Sequence, residues 1–166
     1  MKTLFFLTIF SVFMFYCKNE IQAQNTQIKL NQVEWMKQFL GSWKAEIGKD
    51  TAFIMECNSF YNGSDFYLKR ESKGKIIFEQ KTLMGYDKNS DKIIECAINN
   101  SSKQIILMAA WFTSVNKCEE VLFKDIANPD IAKNKWIFEF KSPDLLTWTD
   151  LVNNKPTNIY TFHREK

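Results

Sequence analysis

The chain has 166 residues, 45% hydrophobic and 25% charged, with a formal net charge of +3. That composition fits one ordinary globular domain and excludes wholesale disorder, collagen-like repeats and a polytopic membrane protein. The charge is too balanced to argue for a nucleic-acid or anionic-membrane partner. Phe occurs 15 times, whereas Gly and Pro number only 5 and 3.

The first segment reads as a targeting signal. Lys2 precedes an uncharged, mostly apolar run from Leu4 to Tyr16 that holds Phe5, Phe6, Phe10, Phe13 and Phe15. A membrane-spanning helix needs about 20 apolar residues. This run is shorter and matches the basic and hydrophobic regions of a secretory signal. Ala23 offers a cleavage point, so residues 1–23 are expected to be a signal peptide, 24–29 a short polar linker and 30–166 the folded domain. The alternatives are a lipoprotein anchored at Cys17, where Tyr16 stands in place of the usual small residue, and an uncleaved anchor. Each puts the folded part outside the cytoplasm, periplasmic or secreted.

Leu30 to Leu40 carries the one helical signal. Asn31 can cap, Glu34 stands three residues later as in a capping box, and Val33, Met36, Phe39 and Leu40 recur at helical spacing. Gly41 marks the end. The stretch is about three turns long and must pack against something to be stable.

Beyond Gly41 the pattern predicts about ten strands, over 42–48, 51–60, 64–73, 75–85, 91–98, 103–113, 118–124, 134–141, 145–151 and 157–164. Polar turns separate them. Asn62-Gly63 is expected to turn with Gly at positive φ. Lys73-Gly74-Lys75, Asp87 to Asp91 and Asn99 to Ser102 close further turns, Asn128-Pro129-Asp130 lies in the longest loop, and Lys155-Pro156 precedes the last strand. Phe53, Met55 and Cys57 share one face, as do Phe66, Leu68 and Arg70, and Trp136, Phe138 and Phe140. Strands without intervening helices give an all-β antiparallel meander. A curled sheet of 8–10 strands tends to close, because closure removes its edges.

Phe39-Leu40-Gly41-Ser42-Trp43 follows the short helix and opens the first strand, and the chain ends on the strand Tyr160-Thr-Phe-His-Arg164. This resembles the lipocalin-like, calycin-type barrels. Gly85-Tyr86-Asp87 leading into Lys92-Ile-Ile-Glu-Cys-Ala is similar to small exported bacterial members of uncharacterised function. The resemblance spans nearly all of 30–164. It implies a helix closing one barrel end, Gly41 and Trp43 as the signature of the first strand, and Arg164 packing over Trp43. The other lipocalin motifs and the typical disulfide arrangement are not recognisable.

A small barrel is either filled by side chains or hollow. If hollow, Phe66, Phe78, Trp111 and Phe138 are candidate ligand contacts. Arg70, Gln80 and Thr82 are candidates to hold a polar end, since a ligand pocket needs a few polar groups among apolar walls. Core packing, or a place at the rim, is the plain alternative for each. Trp111 can sit at the barrel mouth or finish the core.

Cys57, Cys96 and Cys118 read as small apolar strand residues. With His163 they have the residue count of a zinc site but not its spacing. Haem-binding barrels related to this class use a His from a late strand, yet Arg164 turned inward puts the neighbouring His163 outward. Trp43 is also followed by Lys44-Ala45-Glu46 rather than a Gly-rich extension. No cofactor and no metal are therefore expected. No catalytic motif occurs. Glu119 and Glu120 are adjacent carboxylates on opposite faces of a strand, with solvent exposure the default.

The sequence thus predicts an exported lipocalin-like barrel that binds a small, largely apolar or amphipathic molecule, without nucleic acid and without a membrane unless Cys17 is lipidated. Two other classes remain open. An enzyme of cyclase or isomerase type would show a buried charged pair at the cavity floor. A structural or interaction module would show a filled barrel and an exposed apolar patch.

Overall fold

The computed structural model describes residues 29–102 and 104–166. The expected signal peptide, Cys17 with its alternative role as a lipid anchor, and nearly all of the expected linker lie outside the described residues. Helix α1 (Gln32–Met36) runs into a 3-10 turn (Lys37–Phe39). Ten strands follow: β1 (Gly41–Gly48), β2 (Thr51–Phe60), β3 (Gly63–Ser72), β4 (Lys75–Asp87), β5 (Lys92–Asn99), β6 (Ile106–Ser114), β7 (Lys117–Leu122), β8 (Asn134–Ser142), β9 (Leu145–Val152) and β10 (Lys155–Arg164). Each pairs antiparallel with its sequence neighbours, and β10 returns to β1 to close the barrel. This all-β closed meander is compatible with a calycin-type barrel.

The helix begins as its residues predict. The Asn31 side chain accepts from the Glu34 N–H at 3.1 Å. Glu34 does not reach back to complete the box; its carboxylate takes Lys37 Nζ at 2.7 Å instead. Gln32 is buried, which hydrophobic spacing does not foresee. Its amide donates to the Phe112 carbonyl at 3.2 Å and accepts from the Phe112 N–H at 2.6 Å. The β5–β6 ladder ends at the Ile93–Ala110 pair, so Phe112 lies beyond its reach. The Gln32 side chain supplies the missing strand edge, at a net gain of about 1 kcal/mol per bond.

Two turns differ from expectation. The β2–β3 reversal places Tyr61 at φ 51°, and Gly63 already belongs to β3. Gly63 is required for space: a Cβ there would fall on the Met84 carbonyl oxygen of the adjacent strand. At the β9–β10 reversal Asn153 and Asn154 take φ 50° and 59°, so Lys155 and Pro156 lie inside β10. The register shifts between Pro156 and Asn158, where proline cannot donate to the ladder.

The seam between β1 and β10 is short, with only Trp43–Arg164 and Lys44–His163 in register. Side chains reinforce it. The Arg164 guanidinium lies 4.0 Å from the Trp43 ring centroid. Its Nη1 donates to the Leu40 carbonyl, Nη2 to Gln38 O at 3.0 Å and Nε to Pro143 O at 2.9 Å. The Trp43 Nε1–H donates to Phe39 O at 2.9 Å. Trp43 is fully buried and Phe39 nearly so. Phe39 meets Phe140 at 4.9 Å and Phe138 at 5.5 Å, both edge to face. Such pairs add about 0.5–1.5 kcal/mol beyond burial, and they join the helix to the barrel end.

Two outcomes are expected by urea denaturation. Gly63→Ala costs about 2–4 kcal/mol, more than Gly74→Ala, which meets open space and bears only left-handed strain of about 1–2 kcal/mol. The reverse order would remove close approach as the constraint at Gly63. Arg164→Lys keeps the charge but loses the planar fork that reaches three carbonyls while stacking. It costs about 2 kcal/mol, and a neutral result would mean the seam holds without that fork.

Candidate ligand cavity

The barrel encloses a cavity of about 430 Å³. Strand alternation decides what lines it. On β2, β3 and β4 the inward residues include Phe53, Phe66, Leu68, Phe78 and Met84. On β8, β9 and β10 they include Trp136, Phe138, Trp148 and Tyr160. Met36 and Phe39 close the helix end. Polar groups interrupt these apolar walls. Gln80 Nε2 donates to Thr82 Oγ1 at 3.2 Å, and Asn99 Nδ2 reaches Gln80 Oε1 at 3.5 Å, a short ladder along one side. Thr82 is 1% exposed.

Of the residues singled out from sequence, Phe66, Phe78, Gln80, Thr82 and Phe138 are brought together around the cavity. Arg70 shares their inward face but is not part of the lining. Its guanidinium lies 5.7 Å from the Phe53 ring centroid, and its buried Nε has no hydrogen-bond partner. Trp111 is elsewhere. Met108 and Ala110 are the inward residues of β6, so Trp111 takes the opposite face. It lies outside the barrel beneath Lys92 Nζ, 3.9 Å from the ring centroid. The expectation that Trp111 contacts a ligand at the mouth is corrected by that alternation.

The most consequential lining residues are two that sequence reasoning missed. Glu95 on β5 and Glu120 on β7 face the cavity at 8% and 7% exposure. The default of solvent exposure is only half met by Glu119, which turns outward to pair with Lys117 at 3.1 Å and Lys135 at 3.8 Å but keeps just 18% of its side chain exposed. It fails for Glu120, because the inward face of β7 runs Cys118, Glu120, Leu122. In register, Glu95 stands opposite Met108 and Glu120 opposite Ala110, so the carboxyls flank β6 one inward step apart. Neither is hydrogen-bonded or ion-paired among the described residues.

Burial pushes the Glu95 carboxyl up to about 7. Burial, then the nearby Glu95 and Asp150 charges, hold Glu120 well above the carboxylate range. Asp150 lines the cavity too and accepts from Asn158 Nδ2 at 3.0 Å. Burial and then Asp150 raise the Tyr160 hydroxyl, partly opposed by Arg70. The Trp148 Nε1–H is buried without a partner. Both shifts favour the protonated carboxyl, so the pair can donate as well as accept.

The cysteines are free thiols among the described residues. Burial pushes the Cys57 thiol up to about 12 and raises Cys118 as well, which leaves both unreactive at neutral pH. No group of three or more His, Cys, Asp or Glu is placed to hold a metal ion among the described residues. His163 is exposed on the outer side of β10, opposite Lys44 and Leu145 and away from the cavity.

The chain matches no family model, and no curated protein matches it.

The buried acids give a stability prediction with a definite sign. In the folded barrel Glu95 keeps its proton to a higher pH than in the unfolded chain. Folded protein therefore binds more protons between about pH 4.5 and 7, and stability falls with rising pH across that window. The loss is roughly 3 kcal/mol by pH 8. Glu95→Gln removes it, so the variant should melt several degrees above the parent at pH 8 and beside it at pH 4.5. Melting curves that stay parallel across pH would show that Glu95 is not held neutral.

Proposed function

We propose that the protein is an exported, lipocalin-like binding protein that holds a small, largely apolar molecule inside the barrel. The observation that carries this reading is the cavity of about 430 Å³, closed by α1 at one end and walled mainly by apolar and aromatic side chains. That size and lining are typical of a small-molecule pocket. Its hollowness argues against a module with a filled barrel, although Leu83, Ile98, Ile105 and Leu107 do leave an apolar surface exposed outside. Export rests on the leader read in residues 1–23. Binding comes from shape and burial, with Gln80, Thr82 and the neighbouring acids orienting a polar end.

One observation favours an enzyme of isomerase or cyclase type as the second reading. Glu95 and Glu120 form the buried acidic pair such chemistry would use, both pushed toward the protonated form in the same cavity. A species recovered from the native protein that changes chemically on incubation, and does so more slowly with Glu120→Gln, would support it.

Native mass spectrometry of protein from its source, together with titration of an apolar fluorescent probe, tests binding. A copurifying molecule and saturable probe uptake are expected. Ala110→Phe, which fills space between the two acids, should weaken uptake at least tenfold while circular dichroism still shows the barrel. No copurifying species and no measurable uptake would sink the reading.

A further inference from the structure

We propose that the cavity selects an organic cation, an apolar or aromatic molecule whose protonated amine lodges between Glu95 and Glu120. The inference rests on the cavity being a ligand site and names the chemistry that site takes.

The charges around the cavity point one way. Three lining residues carry carboxyls, Glu95, Glu120 and Asp150, and no lining residue is Lys, Arg or His. The other titratable groups facing the pair are Cys118 on β7 and Tyr160 on β10, both neutral at physiological pH. Strands β4 and β8 contribute the uncharged Gln80, Thr82 and Asn134, and β6 contributes Met108 and Ala110. Arg70 on β3 shares the inward face but sits against Phe53 and outside the lining. A carboxylate ligand would therefore meet like charge, whereas an ammonium would meet its complement.

The geometry also leaves a place for the amine. Glu95 and Glu120 lie on strands either side of β6, roughly 10 Å apart at the backbone. Between them β6 presents the small Ala110. Both carboxyls are more than nine-tenths buried, lack partners among the described residues and face the open space. Aromatic rings complete the surround. Trp136 pairs in register with Glu120 on one side and Asp150 on the other, and Trp148 stands 5.1 Å from Phe138. Ring faces attract an ammonium through their quadrupoles, more strongly where water is excluded.

A cation between the acids favours their ionised form, so its binding displaces protons. Alkylammonium affinity should rise with pH up to about 8, by about tenfold per pH unit for each proton displaced below the carboxyl pKa.

Octylamine, octanol and octanoate share a chain and differ in the head group. Each is titrated into the full-length protein by calorimetry at pH 5.5, 6.5 and 8, in buffers of different ionisation enthalpy. At pH 8 octylamine is expected to bind at least tenfold more tightly than octanol, with octanoate weakest. Octylamine alone should strengthen with pH and release protons to the buffer. In Glu95→Gln/Glu120→Gln the amine-to-alcohol ratio should collapse toward one. If that variant fails to fold, the parent protein's head-group order and pH series decide. Octanol binding as tightly as octylamine overturns the cation proposal and leaves the cavity reading standing. Failure of all three ligands and of the apolar probe overturns both.

Discussion

The contact on which the structure turns is the Arg164 guanidinium laid over Trp43. Nine of the β-ladders pair five or more positions, but the closing seam of β1 and β10 pairs two. Sheet hydrogen bonding alone gives that edge little to resist opening. Arg164 replaces it with three hydrogen bonds to main-chain carbonyls and a stacked contact, joining the last strand, the β8–β9 turn and the end of the 3-10 turn. Gly41 is part of the same device. Its φ of 107° turns the chain into β1, and a Cβ would approach Arg164 Nη1 to 2.8 Å. Closing the seam also fixes the helix, because the carbonyls of Gln38, Phe39 and Leu40 are the ones engaged.

What the clamp holds shut determines the chemistry inside. Phe39 and Met36 close one end, against the fully buried Trp43. Carboxyls above that seal sit in a medium that penalises charge. The raised Glu95 and Glu120 are in that sense a consequence of barrel closure. The same side chains on an open sheet would be ordinary surface acids. The two thiols that share the interior, Cys57 and Cys118, are shifted the same way for the same reason.

Much of the fold could be read from residues, because strands and turns carry local signals. All ten strands lie within a few residues of the spans their alternation predicts. The misplaced turns have nonlocal causes. Asn62-Gly63 looks like a φ-driven pair, but the demand on Gly63 comes from Met84, twenty-one residues along on β4. The burial of Gln32 follows from where the β5–β6 ladder runs out, eighty residues away at Phe112. No local pattern carries either fact.

The site was less legible, and the reason is physical rather than statistical. Inside a filled core, burial and hydrophobicity go together, since every inward side chain meets another. A cavity breaks that coupling. Inward residues there border open space, and an acid can be buried without displacing a packed neighbour. On β5 the usual order is inverted: Glu95 faces in, while Ile94, Cys96 and Ile98 face out, Ile98 at 59% exposure. Gln80 and Thr82 were visible because they interrupt an otherwise apolar face. Glu95 was hidden because the outer face of its own strand is the greasier one. Such an inversion, on a strand flanking a small inward residue such as Ala110, is the local mark that a barrel encloses a polar subsite rather than a core.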